Sequence, residues 1–171
     1  MDFVGGLFMS ILDVEREADS RNLQDKLIYI KNPLSSPNGL TFTVFVSPYY
    51  TYDEMILVKY CHLSARSDTL NRRQFYEYIV SLREEESNLV ENFASCTKDI
   101  LEFLATFDDQ NCYQAIGCVH TNTDNLHAHI IVNNIAFNTG RRFLLGRKKF
   151  ESVRNAINTI LKFYGLSELV Y

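Results

Sequence analysis

The chain has 171 residues, 46% hydrophobic and 22% charged, a composition that is typical of a globular domain and excludes a disordered chain. No apolar run reaches the about 20 residues of a transmembrane helix, so membrane insertion is not expected. The net charge of −4 counts against nucleic acid as a partner, because nucleic-acid binders carry at least a local excess of positive charge.

The ends of the chain and its cysteines add little that is specific. The start lacks the basic segment of a signal peptide, and the four cysteines form no CxxC pair. We therefore expect one domain over 1–171, with reduced thiols, in the cytoplasm. The segment 1–19 has no assigned role.

The first half of the chain is predicted to alternate between helices and strands. Leu23, Leu27 and Ile30 recur at i, i+4 and i+7, which predicts a short helix over 20–30. A loop follows in KNPLSSPNGL, which holds two of the three prolines. Composition and alternation then predict a strand over 40–46, a helix over 51–61 and a strand over 74–82.

The second half is predicted to form a helix, a hairpin and a final helix. An apolar stripe from Leu89 to Phe107 marks the first helix, which we expect to begin with a capping-box variant of Asn88 and Glu91. Strands over 112–120 and 126–137 flank the polar turn TNTDN, and a helix over 147–164 ends before Gly165. The pattern predicts an α+β fold, with a central, mostly antiparallel sheet flanked by helices.

Three of the four histidines lie in the predicted hairpin. Because strand side chains alternate, His127 and His129 share one face, while Ala128, Ile130 and Val132 face the other. The turn brings His120 opposite them. Three neutral imidazoles form a divalent metal site with open positions for water or substrate. Cys118 shares the face of His120, as a further soft ligand or, more commonly, a small buried side chain.

The spacing H-x6-H-x-H, with Asn133 four residues after the last histidine, resembles the metal motif of conjugative relaxases. These are tyrosine nucleases of the HUH endonuclease superfamily, and the resemblance is greatest to the VirD-type, MOBP-like mobilisation nucleases. Further stretches are similar to other blocks of that family and occur in its order, so the resemblance covers about 20–145: LIYIKNP, SPYYTYDEM, RRQFYEYIVS and HTNTDNLHAHIIVNNIAFNTGRR.

The resemblance implies site- and strand-specific nicking of DNA at an origin of transfer. Tyr29 matches the nucleophile, which would form a 5′-phosphotyrosine, and its place on the helix lies away from the apolar stripe. The implied cofactor is a divalent metal, Mg or Mn in catalysis, although three imidazoles also accept Zn, Ni or Cu. The implied partners are single-stranded origin DNA and the relaxosome accessory and coupling proteins of a bacterial plasmid or integrative conjugative element.

The resemblance also assigns supporting residues near the histidines. Glu77 stands where relatives have His or Glu, and as a carboxylate it could hold a ligand imidazole by its second nitrogen. The alternative is a solvent-facing strand residue. Asn122 replaces the aspartate that relatives usually have two residues after the first histidine, whereas Asp124 matches a later acidic position.

The candidate DNA contacts are basic, amide and aromatic side chains. We expect phosphate or substrate contacts from Arg72, Arg73, Asn133, Arg141 and Arg142, and from the basic triplet Arg147, Lys148 and Lys149. Tyr49, Tyr50 and Phe143 are candidates for stacking on single-stranded bases. The alternatives are an ordinary solvated surface for the basic residues and a place in the core for the aromatic ones.

Two other functions fit the same residues. One is a catalytically silent DNA-binding accessory protein with a relaxase fold, which the acidic net charge and Asn122 favour. The other is an unrelated three-histidine metal hydrolase that acts on a small molecule and does not need Tyr29.

Overall fold

The computed structural model describes residues 11–15, 20–37, 40–63, 74–143 and 146–169. Within them the order of elements is β1 (Ile11–Glu15), α1 (Ser20–Ile30), β2 (Thr41–Val44), α2 (Thr51–Leu63), β3 (Phe75–Ser81), α3 (Val90–Thr106), β4 (Tyr113–His120), β5 (His127–Ala136) and α4 (Arg147–Phe163), with a short 3-10 turn at Glu84–Glu86. No helix in these ranges is both long and apolar enough to cross a bilayer.

The five strands form one sheet in the order β1-β3-β5-β4-β2, and every neighbouring pair is antiparallel. This confirms the predicted α+β fold with a central antiparallel sheet. Both strands of the hairpin, β4 and β5, are interior strands of this sheet, so their side chains are buried on both of its faces. The edge strand β1 lies in the segment for which the sequence predicted no element.

Helices cover both faces of the sheet, and each face has its own core. On one face Ala128, Ile130 and Val132 pack beneath apolar residues of α3 and α4. On the other face Ile131 packs with Leu23, Leu27 and Ile30 of α1 and with Met55 of α2. The alternation along β5 therefore places His127 and His129 in the layer between the sheet and α1.

The helix ends agree with the sequence in one case and differ in another. Gly165 has φ +70°, and the amides of Gly165 and Leu166 donate to the carbonyls of Lys162 and Leu161, which closes α4 as expected. The capping box predicted from Asn88 is wrong. The N-cap is Leu89, without a side-chain hydrogen bond, because the chain enters α3 one residue later than that motif requires.

Lys59 of α2 is a buried cation that has no hydrogen-bond partner among the residues that the structure describes. Only 3% of its surface is exposed, and its ammonium makes no hydrogen bond. Burial, and to a smaller degree the positive charge of Arg142, lowers the pKa of Lys59 to about 7. Folding therefore requires this group either to lose its proton or to remain charged away from water, and both reduce stability at neutral pH.

We expect Lys59→Met to raise the free energy of unfolding at pH 7 by about 3 kcal/mol, because it removes this cost. The folded pKa is lower than the unfolded pKa, so the unfolded chain binds the extra proton between these two values. Stability of the native chain should therefore rise with pH from about 7 towards about 10, a rise that Lys59→Met should lack. Urea unfolding at pH 7 and pH 9 measures both effects.

The matched control is Lys98→Met, because the side chain of Lys98 is 59% exposed on α3. This substitution should change stability by no more than about 0.5 kcal/mol at either pH. A loss of stability in Lys59→Met at pH 7 would contradict the prediction and would mean that the ammonium stabilises the fold.

Candidate functional site

The three histidines of the hairpin converge at one end of the sheet. His120 ends β4 and His127 begins β5, and these two residues are direct partners in the antiparallel register. One nitrogen from each of His120, His127 and His129 lies within 4.8 Å of the others. His120 and His129 are buried and His127 is half-buried, so the cluster is open on the side of His127.

Each imidazole uses one nitrogen for a hydrogen bond within the protein. His129 donates from Nδ1 to Oε1 of Glu77 at 2.8 Å, and His120 donates from Nε2 to the carbonyl of Ile30 at 2.9 Å. Nδ1 of His127 lies 3.1 Å from the carbonyl of Asn125 and 3.2 Å from the hydroxyl of Thr123. In these tautomers the second nitrogen of every ring keeps its lone pair.

The unused nitrogen of His129 tests whether the cluster fits a metal. Its Nε2 is buried and has no hydrogen-bond partner within the described part of the chain, an arrangement that costs free energy unless a ligand binds there. Burial also lowers the pKa of His120 and His127, an effect that neighbouring imidazoles reinforce. Neutral imidazoles are the form that binds a cation, so the donor set fits a divalent metal with three nitrogen ligands.

A buried carboxylate lies behind the cluster. Glu77 of β3 is fully buried, and its second oxygen, Oε2, forms an ion pair with Nζ of Lys26 at 2.8 Å. Glu77 is predicted to orient a ligand imidazole, and its hydrogen bond with Nδ1 of His129 is the contact that this role requires. A carboxylate that accepts from Nδ1 directs Nε2 towards a metal.

Tyr29 lies at the mouth of the histidine cluster. Its ring centroid is 5.6 Å from that of His120 and 5.4 Å from that of His129, in edge-on contacts. The residue is 51% exposed, because the apolar stripe of α1 faces the sheet and Tyr29 lies beside that stripe, partly in solvent. Proximity to the cluster and access to solvent are what a nucleophile towards a large substrate needs.

The turn between β4 and β5 contacts His127 through residues other than the predicted Asn122 and Asp124. Asn122 and Asp124 are exposed, and the contacts to His127 come from Thr123 and from the carbonyl of Asn125. Asp124 and His127 instead lie on the wall of an open cavity of about 320 Å³, which is also lined by Ser81, Glu84, Thr123 and Asn125.

Several contacts at the site were not identified from the sequence. Backbone carbonyls such as those of Ile30 and Asn125 leave no signal in side-chain identity. Lys26 does leave one, because it precedes Tyr29 by three residues on a predicted helix and therefore lies on the same side.

Two expected DNA contacts are corrected by burial. Asn133 is fully buried, and its amide donates to the carbonyl of Met55 and to Oε1 of Gln114, so it joins α2 to the sheet instead of facing DNA. Phe143 is also buried, with its ring against those of Tyr76 and Tyr113, and cannot stack on a base. Both side chains are in the interior, and the sequence pattern near the end of the hairpin did not show whether they are buried or exposed.

Cys118 is buried outside the ligand cluster. Its sulfur lies 3.5 Å from the hydroxyl of Thr41, and burial raises the pKa of the thiol to about 11, which disfavours the thiolate that a metal needs.

The remaining DNA candidates lie in different places. Tyr49 and Tyr50 are exposed, as are Arg141 and the triplet Arg147, Lys148 and Lys149, whereas Arg142 is half-buried. Arg142 pairs with Ile135 near the end of β5 that is opposite to His127, about 25 Å away along the strand. Arg72 and Arg73 lie outside the described residues.

Comparisons with known proteins give one family match and several solved structures of similar fold. Residues 29–166 match the family model "Relaxase: MobA/VirD2-like, nuclease domain". A similar solved structure is the MobM relaxase domain (MOBV; Mob_Pre) bound to plasmid pMV158 oriT DNA and Mn, with a TM-score of 0.67 and 13% identity over 95% of this chain and 91% of that one. A second structure of that domain, bound to 26-nucleotide oriT DNA, has a TM-score of 0.61 and 12% identity, covering 95% and 90%. Curated sequences contain no match.

We expect the protein to bind Mn²⁺ and to lose this binding in His129→Ala, which removes a ligand. Glu77→Gln should raise the dissociation constant for Mn²⁺ by about 10- to 100-fold, because the amide holds the imidazole less well. Isothermal titration of the metal-free protein measures both. His62→Ala is the control, since His62 lies outside the cluster and contacts the carbonyl of Phe137. Equal affinities in all four proteins would exclude a metal site at these histidines.

Proposed function

Because the chain belongs to the MobA/VirD2-like relaxase nuclease family, we propose that it cuts one strand of DNA at an origin of transfer and joins the cut end to Tyr29. The observation that carries this proposal is the position of the half-exposed Tyr29 ring against two histidines of the cluster. The proposal includes the MOBP-like subtype, whereas the similar solved structures are of the MOBV type.

The proposed reaction is a transesterification at phosphorus. The phenol oxygen of Tyr29 forms a bond to the scissile phosphorus while the bond from phosphorus to the 3′ oxygen breaks. The phenol proton is lost, and the 3′ oxygen gains a proton and leaves as a hydroxyl. One phosphodiester replaces another, so the free 3′ hydroxyl can attack the phosphotyrosine later and rejoin the strand.

The chain's own residues would align the reactants. The carbonyl of Ile30, next to Tyr29, accepts from His120, so the end of α1 is tied directly to the histidine cluster. A divalent cation bound there, such as the Mn of the similar structures or Mg, would neutralise negative charge on the phosphate in the transition state. The half-buried His127 leaves the open side through which a phosphate could approach.

Single-stranded DNA is the proposed substrate, despite the net charge of −4. Nζ of Lys31 donates to the carbonyl of Pro48, so the loop that carries the exposed Tyr49 and Tyr50 lies beside the end of α1. Aromatic rings next to a cutting site are suited to stacking on unpaired bases. We also propose that the protein acts with the accessory and coupling proteins of a relaxosome, and only its family membership supports this part.

We expect wild-type protein with Mn²⁺ to form a covalent adduct with one labelled single-stranded oligonucleotide that contains its origin, and Tyr29→Phe to form none, because the attacking oxygen is gone. The oligonucleotides would tile the DNA around the gene, and the adduct would be detected on a denaturing gel. Tyr60→Phe is the matched control, since Tyr60 on α2 is 56% exposed, close to the 51% of Tyr29, and this variant should retain the adduct.

Other results would redirect the proposal. An adduct that persists in Tyr29→Phe would exclude this nucleophile. Binding of metal and DNA without any adduct across the region would favour the silent accessory protein. Turnover of a small-molecule ester that survives Tyr29→Phe would favour the unrelated hydrolase.

Binding to single-stranded DNA should weaken steeply with salt, because phosphate contacts release counterions. Removing one contact with Arg141→Ala should reduce the slope of log K against log[salt] by about 0.7. Fluorescence anisotropy over a series of salt concentrations measures the slope. Lys162→Ala is the control, since this exposed lysine lies in the last turn of α4, which packs on the face of the sheet away from the histidines, and it should leave the slope unchanged. A wild-type affinity that does not vary with salt would contradict phosphate binding.

A further inference from the structure

We propose that Lys26 is a positioning residue that couples the orientation of the metal ligand His129 to the placement of Tyr29. This inference rests on the proposed function only for the part that concerns Tyr29. The part that concerns metal binding holds for any chemistry at the histidine cluster.

The contacts of Glu77 show why Lys26 occupies a special place. One oxygen of this carboxylate accepts from Nδ1 of His129, and the other pairs with Nζ of Lys26, each at 2.8 Å. Glu77 is fully buried, whereas 23% of the Lys26 side chain is exposed. The lysine therefore brings a positive charge from the protein surface to a carboxylate that water does not reach.

Lys26 also belongs to the helix that carries the proposed nucleophile. It precedes Tyr29 by almost one turn of α1, and its Nζ lies 5.9 Å from the centre of the Tyr29 ring. A cation at this distance from an aromatic face is attracted to it. Lys26, Glu77, His129 and Tyr29 thus form a closed ring of contacts in which the lysine joins the helix to the carboxylate.

This arrangement predicts an effect on the metal without a change in any ligand. When Lys26 is replaced, Oε2 of Glu77 loses its ion pair, and the carboxylate is no longer held in the position that places Oε1 against His129. The imidazole of His129 then has more orientations available, and fewer of them direct Nε2 towards the other two histidines. At the same time α1 loses this ion pair with β3, so Tyr29 is less well placed.

The experiment measures Mn²⁺ affinity by isothermal titration in folded, metal-free protein. We expect Lys26→Met, which keeps the apolar length of the side chain, to raise the dissociation constant about tenfold. Lys26→Arg should remain within about threefold of wild type, because it restores a cation that reaches the carboxylate. Lys98→Met on α3 controls for the loss of one positive charge.

A double-mutant cycle identifies the route of the effect. If Lys26 acts through Glu77, adding Lys26→Met to Glu77→Gln should weaken Mn²⁺ binding no further. Additive effects in the cycle would overturn this route. A fall in melting temperature with unchanged Mn²⁺ affinity in Lys26→Met would overturn the proposal and leave an ordinary stabilising ion pair. If Lys26→Met does not fold, Lys26→Gln provides the same comparison.

The nuclease reaction supplies a separate readout. At saturating Mn²⁺ the rate of adduct formation should fall in Lys26→Met, while the oligonucleotide concentration for half-maximal rate stays the same, because Tyr29 is misplaced and DNA contacts are intact. A reduced metal affinity with no adduct from any protein, including wild type, would support the metal part of the proposal and count against the proposed function. If Lys26→Met weakens Mn²⁺ binding but leaves the rate of adduct formation unchanged, Lys26 orients His129 only, and the part of the proposal that concerns Tyr29 is overturned.

Discussion

The register between β4 and β5 is the constraint on which the site depends. It pairs His120 with His127 and Cys118 with His129, so that three imidazoles from two strands meet on one face. A shift by one residue would turn His127 and His129 towards α3 and α4, into the layer now filled by Ala128 and Ile130. The apolar residues between the histidines therefore hold the metal ligands in place, because their burial makes every other register costly.

The two faces of the sheet differ in what they bury. The face covered by α3 and α4 carries the larger apolar core. The face covered by α1 and α2 buries polar groups along with its smaller core, among them Glu77, His120, His129 and Asn133. Most of these groups make hydrogen bonds, but Nε2 of His129 does not, and an unsatisfied buried nitrogen lowers stability. Such a cost is typical of positions that bind a ligand.

The similarity to solved relaxase domains at 13% identity shows how little of the sequence the fold requires. Alternating apolar residues in two central strands, a helix with one apolar stripe and a short polar turn are enough to build the same layers. The net charge of −4 does not by itself exclude a DNA substrate, because Arg141 and the triplet Arg147, Lys148 and Lys149 are exposed, although Glu84 and Asp124 line the cavity beside His127. Net charge is a property of the whole chain, whereas DNA responds to the local potential.

The sequence by itself determined the helices and strands from α1 onward, the α+β class and the meeting of three histidines, because periodicity sets which side chains share a face and a short turn brings adjacent strands together. It also placed Tyr29 off the apolar stripe of its helix. Only the tertiary structure decided that Tyr29 contacts the cluster, that Lys26 pairs with Glu77, and that Asn133 and Phe143 are buried. Those facts depend on how α1, α2 and the loop after β5 pack on the sheet, and contacts between residues so distant along the chain leave no mark in local spacing.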